Sequence, residues 1–493
     1  MKLKIKFLEW STGMLGAMLN KKIADKLGVQ SRDRISIKTL SKNQREFFTF
    51  VNTIDGLVKE DQIAVSSETK ERIGLKNNQQ VEVSLAQTPK SLKYIKKKLD
   101  GEKLSQEEII EILKDIVNNS LEESEVSLFV SAMYERGMNL PETINLTNAI
   151  LETGVKIHFP YKIIADKHCV GGIPGNRTTP IIVSICAAVG LIMPKNSSRA
   201  ITSAAGTADV IETIARVDFF PDELKRIVKK TNACMVHGGG LGMVPADSKI
   251  IQVEKMLKID SESQLLASIM SKKLAVGSTH VIIDIPYGDG SKFKKERALK
   301  LKNKFEKLAK HFKIKIECIL TDGTQPIGNG VGPVLEIIDV IKILDPSKEG
   351  PKDLEKKSLM ISGKLLELTG KAKKEKGVYM AKEILESGKA FNKFKEIIKA
   401  QGGSLKRIKL AKYKKEIFAD KSGKIIKIIN KDINSLARIA GSPEDKAAGL
   451  YIYHHVGVNL KKGQKFLEIY AESKPRLKQA LDFYRKTKPI KIR

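Results

Sequence analysis

The stretch from Lys167 to Glu212 constrains this chain more than any other, because it holds two loops of small residues that each run into an apolar helical pattern. The first reads Lys167-His168-Cys169-Val170-Gly171-Gly172-Ile173-Pro174-Gly175-Asn176-Arg177-Thr178-Thr179. The second runs from Ser197-Ser198-Arg199-Ala200-Ile201-Thr202-Ser203 to Gly206-Thr207-Ala208-Asp209. Glycine lets a backbone approach a ligand closely, and a helix start leaves amide donors free to hold an anion. Hydroxyls and a lysine beside such amides complete a phosphate pocket. One Gly-Gly loop is commonly only a turn. Two of them, both rich in hydroxyls and both carrying a cation, point to phosphate chemistry.

Around these loops, from Lys167 to about Leu344, apolar strands alternate with helical patterns, as an α/β layer requires. The strand pattern Val281 to Ile285 meets a third glycine turn, Pro286-Tyr287-Gly288-Asp289-Gly290-Ser291-Lys292. Ligands bind at such strand ends in α/β proteins, although a tight turn with solvated lysines is the plainer reading. Residues 260 to 276 read as a helix on which Ser268 and Lys272, four apart, share a face. Thr324 to Gly332 is a Gly/Pro-rich connection, a hinge or crossover.

Residues 1–86 contain an internal repeat. Leu27-Gly28-Val29 and the strand pattern Arg34-Ile35-Ser36-Ile37 recur forty-six residues later as Ile73-Gly74-Leu75 and Gln80-Val81-Glu82-Val83. Each copy reads as a short helix, a glycine stop, a turn and an alternating strand, and two copies predict a small pseudo-twofold β-barrel. A capping box, Ser105 with Glu108, then opens a series of helical patterns. The expected fold class is a multidomain α/β protein with five parts. These are an N-terminal small β-barrel-like domain serving assembly (1–86), a helical lobe (87–165), and a large α/β domain (166–348) some of whose helices pack with that lobe. A helical connection (349–402) and a C-terminal α+β, β-containing subdomain (403–493) complete it.

The net charge of +31 over 493 residues would suit a nucleic-acid binder, yet the lysines are spread along the chain rather than gathered in a stripe. Aromatic residues, at 5%, leave few stacking platforms for single strands. The charge instead suits attraction of small anions. No apolar run is long enough for a membrane span, and the alternating start lacks the core of a signal peptide. Cys169, Cys186, Cys234 and Cys318 lie far apart with no metal-ligand spacing, so reduced thiols in a cytoplasmic protein are expected.

Ser197-x-Arg199 followed by Gly206-Thr207-x-Asp209 and Glu212 resembles the signature of the thymidine/pyrimidine-nucleoside phosphorylase family. Lys167-His168-x-x-Gly171-Gly172 resembles its phosphate loop, and Asp260 with Ser268-Ile269-Met270-Ser271-Lys272-Lys273 its base-binding segment. Together these span residues 87–493 in order. The extra N-terminal domain and the Gly-Ile-Pro-Gly-Asn-Arg form of the first loop look like the family's archaeal branch. The resemblance implies a helical domain and a larger α/β domain that close over substrate. It implies inorganic phosphate on Lys167, Gly171, Gly172, Thr179, Ser197 and Thr207. It implies AMP on Gly172, Ser198, Arg199, Ala200, Ile201, Thr202, Ser203, Thr207, Ser268, Lys272 and Lys292. Cys169 stands where the family has serine, and a thiol is the weaker donor. The arginine that holds a pyrimidine ring in relatives has Val253, Glu254 or Lys255 in its place, which fits a purine or a less selective base site.

The implied reaction is AMP plus phosphate giving adenine and ribose 1,5-bisphosphate, with CMP and UMP as further candidate substrates. Asp260 is the expected general acid, protonating adenine at N7, and its plainer role is a helix N-cap. Arg199 is either a 5′-phosphate clamp or an ion-pair partner of Asp209 or Glu212; Lys292 is the other candidate for the clamp. No motif implies a metal or organic cofactor, and a homodimer or larger homo-oligomer is expected, with no nucleic-acid or membrane partner. The rivals are a nucleoside phosphorylase, a phosphoribosyltransferase of the anthranilate type, and a basic nucleic-acid-binding scaffold.

Overall fold

A computed structural model describes residues 1–493 except 9, 11–14, 41–43, 201–202 and 240–241, and except the side chains of 71–73 and 407. The chain forms two compact units, Met1–Thr153 with Pro245–Gln264, and Gly154–Val244 with Leu265–Arg493.

In the first unit, strands β1 (Lys2–Phe7), β2 (Gly16–Asn20), β3 (Arg34–Thr39), β4 (Glu46–Ile54), β5 (Gln62–Val65) and β6 (Gln80–Leu85) close a barrel in the order β1-β5-β2-β4-β3-β6. Alternate residues such as Ile35 and Ile37, or Val81 and Val83, point inward and fill it, as the two-residue strand period dictates. The two sequence copies are interleaved rather than side by side. β1 runs parallel to β5 and β2 parallel to β4, with Lys4 opposite Gln62 and Gly16 opposite Phe50. Met18 faces Ala64 and Ile37 faces Val83, residues separated by the repeat spacing, so both pairs lie on the pseudo-twofold axis. Helices Lys21–Leu27 and Ser67–Ile73 both stop at a left-handed glycine, Gly28 at φ 67° and Gly74 at φ 64°.

The helical part of this unit comprises Ser91–Leu99, Gln106–Asn118, Glu123–Arg136 and Leu140–Glu152. The Ser105–Glu108 capping box forms in both directions, at 3.2 and 2.8 Å. Helix Pro245–Leu257 joins them. Its Lys249 ammonium caps the end of Gln106–Asn118, reaching the Ile116 carbonyl at 2.6 Å and the Asn119 side chain. Unsatisfied carbonyls at a helix end attract a cation there.

The second unit is built on parallel strands. Lys315–Asp322, His280–Tyr287 and Ala165–Cys169 form one sheet, and Met193–Ser197 pairs with Ala233–His237. A bridge from Ile164 to Ile192 joins the two. Helix Thr178–Ala188 is apolar on every side because it is buried on every side, the rule for a core helix. Residues 349–402, expected as a helical connection, belong to this core: Leu354, Ile361, Leu365, Ile384 and Phe394 share one cluster with Ile181 and Ile185. The Gly/Pro-rich connection does more than cross over. Its Gly330–Val331 segment is an edge strand of the antiparallel C-terminal sheet, paired with Gly449–Ile452.

Candidate active site

The five strands of the two parallel sheets in the second unit run the same way, so their carboxyl ends carry the loops that follow them. Ala165–Cys169 leads into the first glycine loop, Met193–Ser197 into the second and His280–Tyr287 into the third. Two contacts draw these loops together. From the first, Arg177 donates to the Thr207 hydroxyl at 2.7 Å and to the Ala205 carbonyl at 2.9 Å in the second. A Cβ on Gly172 would lie 3.3 Å from Cβ of Lys292, so the first and third loops touch where Gly172, at φ 95°, has no side chain.

Beneath the loops the charge is mostly positive. Asp166 is held between Lys273 at 2.5 Å and Lys195 at 3.3 Å. Burial would raise its carboxyl, but these two ammonium groups keep it below its ordinary value. On the other face of the same strand Lys167, 1% exposed, donates to the Thr178 hydroxyl at 2.7 Å. Burial lowers its ammonium, against the pull of Asp284. Asp284 itself contacts Lys357 at 3.0 Å and accepts from Thr321 at 2.6 Å. Burial and the charges of Lys273, Lys195 and Lys272 hold His168 well below the usual imidazole value, which leaves it neutral at pH 7. Lysines outnumber carboxylates here, a setting that favours a bound anion.

The individual candidates fall as follows. The Ser197 hydroxyl is buried and has no hydrogen-bond partner among the described residues, which marks it as a group awaiting one. Thr179 is buried in the first turn of helix Thr178–Ala188, and the Gly171 amide donates to Cys169 Sγ at 3.4 Å. That sulfur also accepts from the Asn176 amide at 3.3 Å, while burial pushes the thiol up to about 11. Lys272 bonds Ser268 at 2.6 Å on the shared helix face, and the Lys272 carbonyl accepts from Asn196, next to Ser197. In the second loop, the Ser198 carbonyl accepts from Ala208, the Ala200 amide donates to Asp209 at 2.7 Å, and Ser203 donates to the Ala205 carbonyl. Ile201 and Thr202 lie outside the described residues.

Arg199 makes the ion pairs expected of one of its two candidate roles. Its guanidinium forks onto Glu212 at 2.6 and 2.7 Å and approaches Asp209 and Asp218 at 3.3 and 3.4 Å. Asp260 lies two residues before helix Glu262–Ala275. Asp260 belongs to the first unit and the loops to the second.

Several site-building residues gave no signal in the sequence. Glu336 pairs with Arg177 Nε at 2.6 Å. Lys446 reaches Asp209 at 3.0 Å, and Asn434 accepts from the Ala204 amide at 3.1 Å. Among the described residues there is no cluster of metal-ligating side chains and no helix long and apolar enough to cross a membrane.

Residues 92–154 match the family model described as "Glycosyl transferase family, helical bundle domain", and residues 161–391 match "Glycosyl transferase family, a/b domain". The chain is 42% identical to AMP phosphorylase of Pyrococcus furiosus, over 99% of this chain and 97% of that protein. It is 40% identical to AMP phosphorylase of Methanococcoides burtonii and 39% to that of Methanococcus vannielii, with the same coverage. The fold is similar to that of anthranilate phosphoribosyltransferase from Thermus thermophilus, at a TM-score of 0.53 and 17% identity, covering 62% of this chain and 99% of that one. With its helical bundle and its α/β domain both matched, the chain belongs to this glycosyl transferase family, in the group formed by the AMP phosphorylases.

Proposed function

We propose that this chain catalyses phosphorolysis of AMP, in which inorganic phosphate attacks C1′, the bond from C1′ to N9 breaks, and adenine and ribose 1,5-bisphosphate leave. CMP and UMP are further substrates in this reading. The observation that carries it is the meeting of three glycine loops at the carboxyl ends of parallel strands, over more lysines than carboxylates. Such a reaction must hold two phosphates, the attacking one and the one already on the ribose.

The attacking phosphate sits against Lys167, the Gly171-Gly172 segment, Thr179, Ser197 and Thr207. Holding it beside C1′ raises its effective concentration, and its charge stabilises the cationic sugar of the transition state. The 5′-phosphate falls to Lys292 in the third loop or to Arg199 in the second, whose guanidinium also pairs with Glu212 and Asp209. Ser268 and Lys272 hold the base, and Asp260 supplies the proton to N7 as the bond to N9 breaks. No metal or organic cofactor takes part, since lysine charge and the phosphate itself do that work. The enzyme works as a homodimer or larger assembly in the cytoplasm, on small molecules alone.

The test is base release from AMP, adenosine and thymidine, with and without inorganic phosphate, in the presence of a chelator. Phosphate-dependent adenine release from AMP, far above that from adenosine, is expected. Preference for a nucleoside would overturn the nucleotide reading, and release without phosphate would overturn phosphorolysis.

A further inference from the structure

We infer that Arg177 is a positioning residue for the attacking phosphate, fixing the Thr207 hydroxyl as a donor aimed away from the protein and at the anion. The inference rests on the reading of Thr207 as a phosphate contact.

The argument is one of proton supply. A guanidinium has five N–H donors and no acceptor. Where Arg177 Nη1 meets Thr207 Oγ1 at 2.7 Å, the hydroxyl is therefore the acceptor. Its single proton must then serve another acceptor, and phosphate oxygens are strong ones. Without the arginine the hydroxyl is free to rotate and to accept instead. The same planar fork donates to the Ala205 carbonyl at 2.9 Å, two residues earlier, so the loop backbone and the hydroxyl are set by one rigid group.

The fork is itself held. Arg177 Nε meets Glu336 at 2.6 Å, with the two side chains only 10% and 2% exposed. Glu336 in turn accepts from the Gly332 amide at 3.1 Å. Arg177 follows Gly171 and Gly172 in the first loop, and Thr207 opens the helix after the second. One side chain thus sets the hydroxyl of the second loop from the backbone of the first, and the two halves of a phosphate site are placed together.

The test uses the full chain and measures KM for phosphate and for AMP in wild type, Thr207→Val, Arg177→Lys, the double variant Arg177→Lys/Thr207→Val, and the pair Arg177→Gln/Glu336→Gln. Arg177→Lys keeps a cation opposite Glu336 but cannot reach all three partners. The glutamine pair removes both charges, so neither is left buried alone. Loss of the oriented hydroxyl should raise KM for phosphate roughly tenfold in Thr207→Val, Arg177→Lys and the glutamine pair, with KM for AMP within about twofold. Adding Thr207→Val to Arg177→Lys should raise it no further. Effects that multiply in the double variant, a KM for AMP that rises with that for phosphate, or an unchanged phosphate KM in both Arg177 variants would each overturn the inference. If wild type releases no base from AMP, the proposed function fails first. Calorimetric titration with inorganic phosphate then decides the role of Arg177: roughly tenfold weaker binding in Arg177→Lys sustains it, and equal binding removes it.

Discussion

The side-chain amide of Asn430 donates to the Gly323 carbonyl at 2.9 Å and to the Gly290 carbonyl at 3.2 Å. Asn430 begins a helix of the C-terminal part, and Gly290 lies in the loop that carries Lys292. A residue distant in sequence therefore anchors a loop proposed to hold the 5′-phosphate. Asn430→Ala should raise KM for AMP roughly tenfold and leave that for phosphate near its wild-type value, while costing about 1–3 kcal/mol of stability. Steady-state kinetics with a urea titration would show both. Equal changes for the two substrates would deny the loop-specific role.

Gly175 is the tightest point of the first loop. At φ 73°, a Cβ there would come within 2.3 Å of the Ile327 carbonyl oxygen and 2.9 Å of that of Gly330, both backbone atoms that cannot swing aside. Gly175→Ala should cost about 2 kcal/mol or more and weaken phosphate use strongly. Gly171 also has a left-handed backbone, at φ 89°, yet a Cβ there meets nothing within 4 Å. Gly171→Ala should cost less, about 1 kcal/mol. Unfolding curves that rank the two in the opposite order would contradict the crowding argument.

Glu212 gives the second loop an acid limit. The hydrogen bonds from Arg199, aided by Lys446 and opposed by burial, bring its carboxyl from 4.5 down to about 2. A folded value below the unfolded one means that its stabilisation is present above about pH 5 and lost as pH falls toward about 2. Urea midpoints measured from neutral to acid should fall less steeply in Glu212→Gln than in wild type. The group is partly exposed, so added salt should shrink the difference. Parallel acid profiles would show that the pair adds nothing.

Asp260→Asn should fold, bind AMP and lose about 10²–10⁴ in kcat, the usual weight of a general acid. Equilibrium binding of AMP measured beside turnover separates the two effects. Turnover close to wild type would remove Asp260 from the chemistry.

What was legible in the sequence was local or periodic. The Ser105–Glu108 capping box, the alternation of Ile35 and Ile37, and the face shared by Ser268 and Lys272 are all set within a few residues. The repeat also predicted a small pseudo-twofold barrel, although not which of its strands would pair. Arg199 was readable only as a choice of two roles, because the carboxylates that hold it stand close by in the chain but nothing local says whether they or a ligand take it. The supports of the site were not legible. Arg177 and Glu336 are 159 residues apart, and Lys446 and Asp209 are 237 apart. Such pairs are made by the packing of whole elements and leave no spacing signal behind.

The interleaved barrel sets a condition on how the chain comes into being. Every neighbour of β1, β2 and β3 is β4, β5 or β6, so no strand of the first copy pairs with another of its own half. During synthesis the first copy leaves the ribosome with its strands unpaired on both sides, and it must wait for the second before any ladder closes. Apart from the β3–β4 hairpin, most of this pairing is non-local and slow, and open strand edges meanwhile invite association with other chains. The slow step in making this enzyme should therefore lie at its start, in the part farthest in sequence from the loops that do the chemistry.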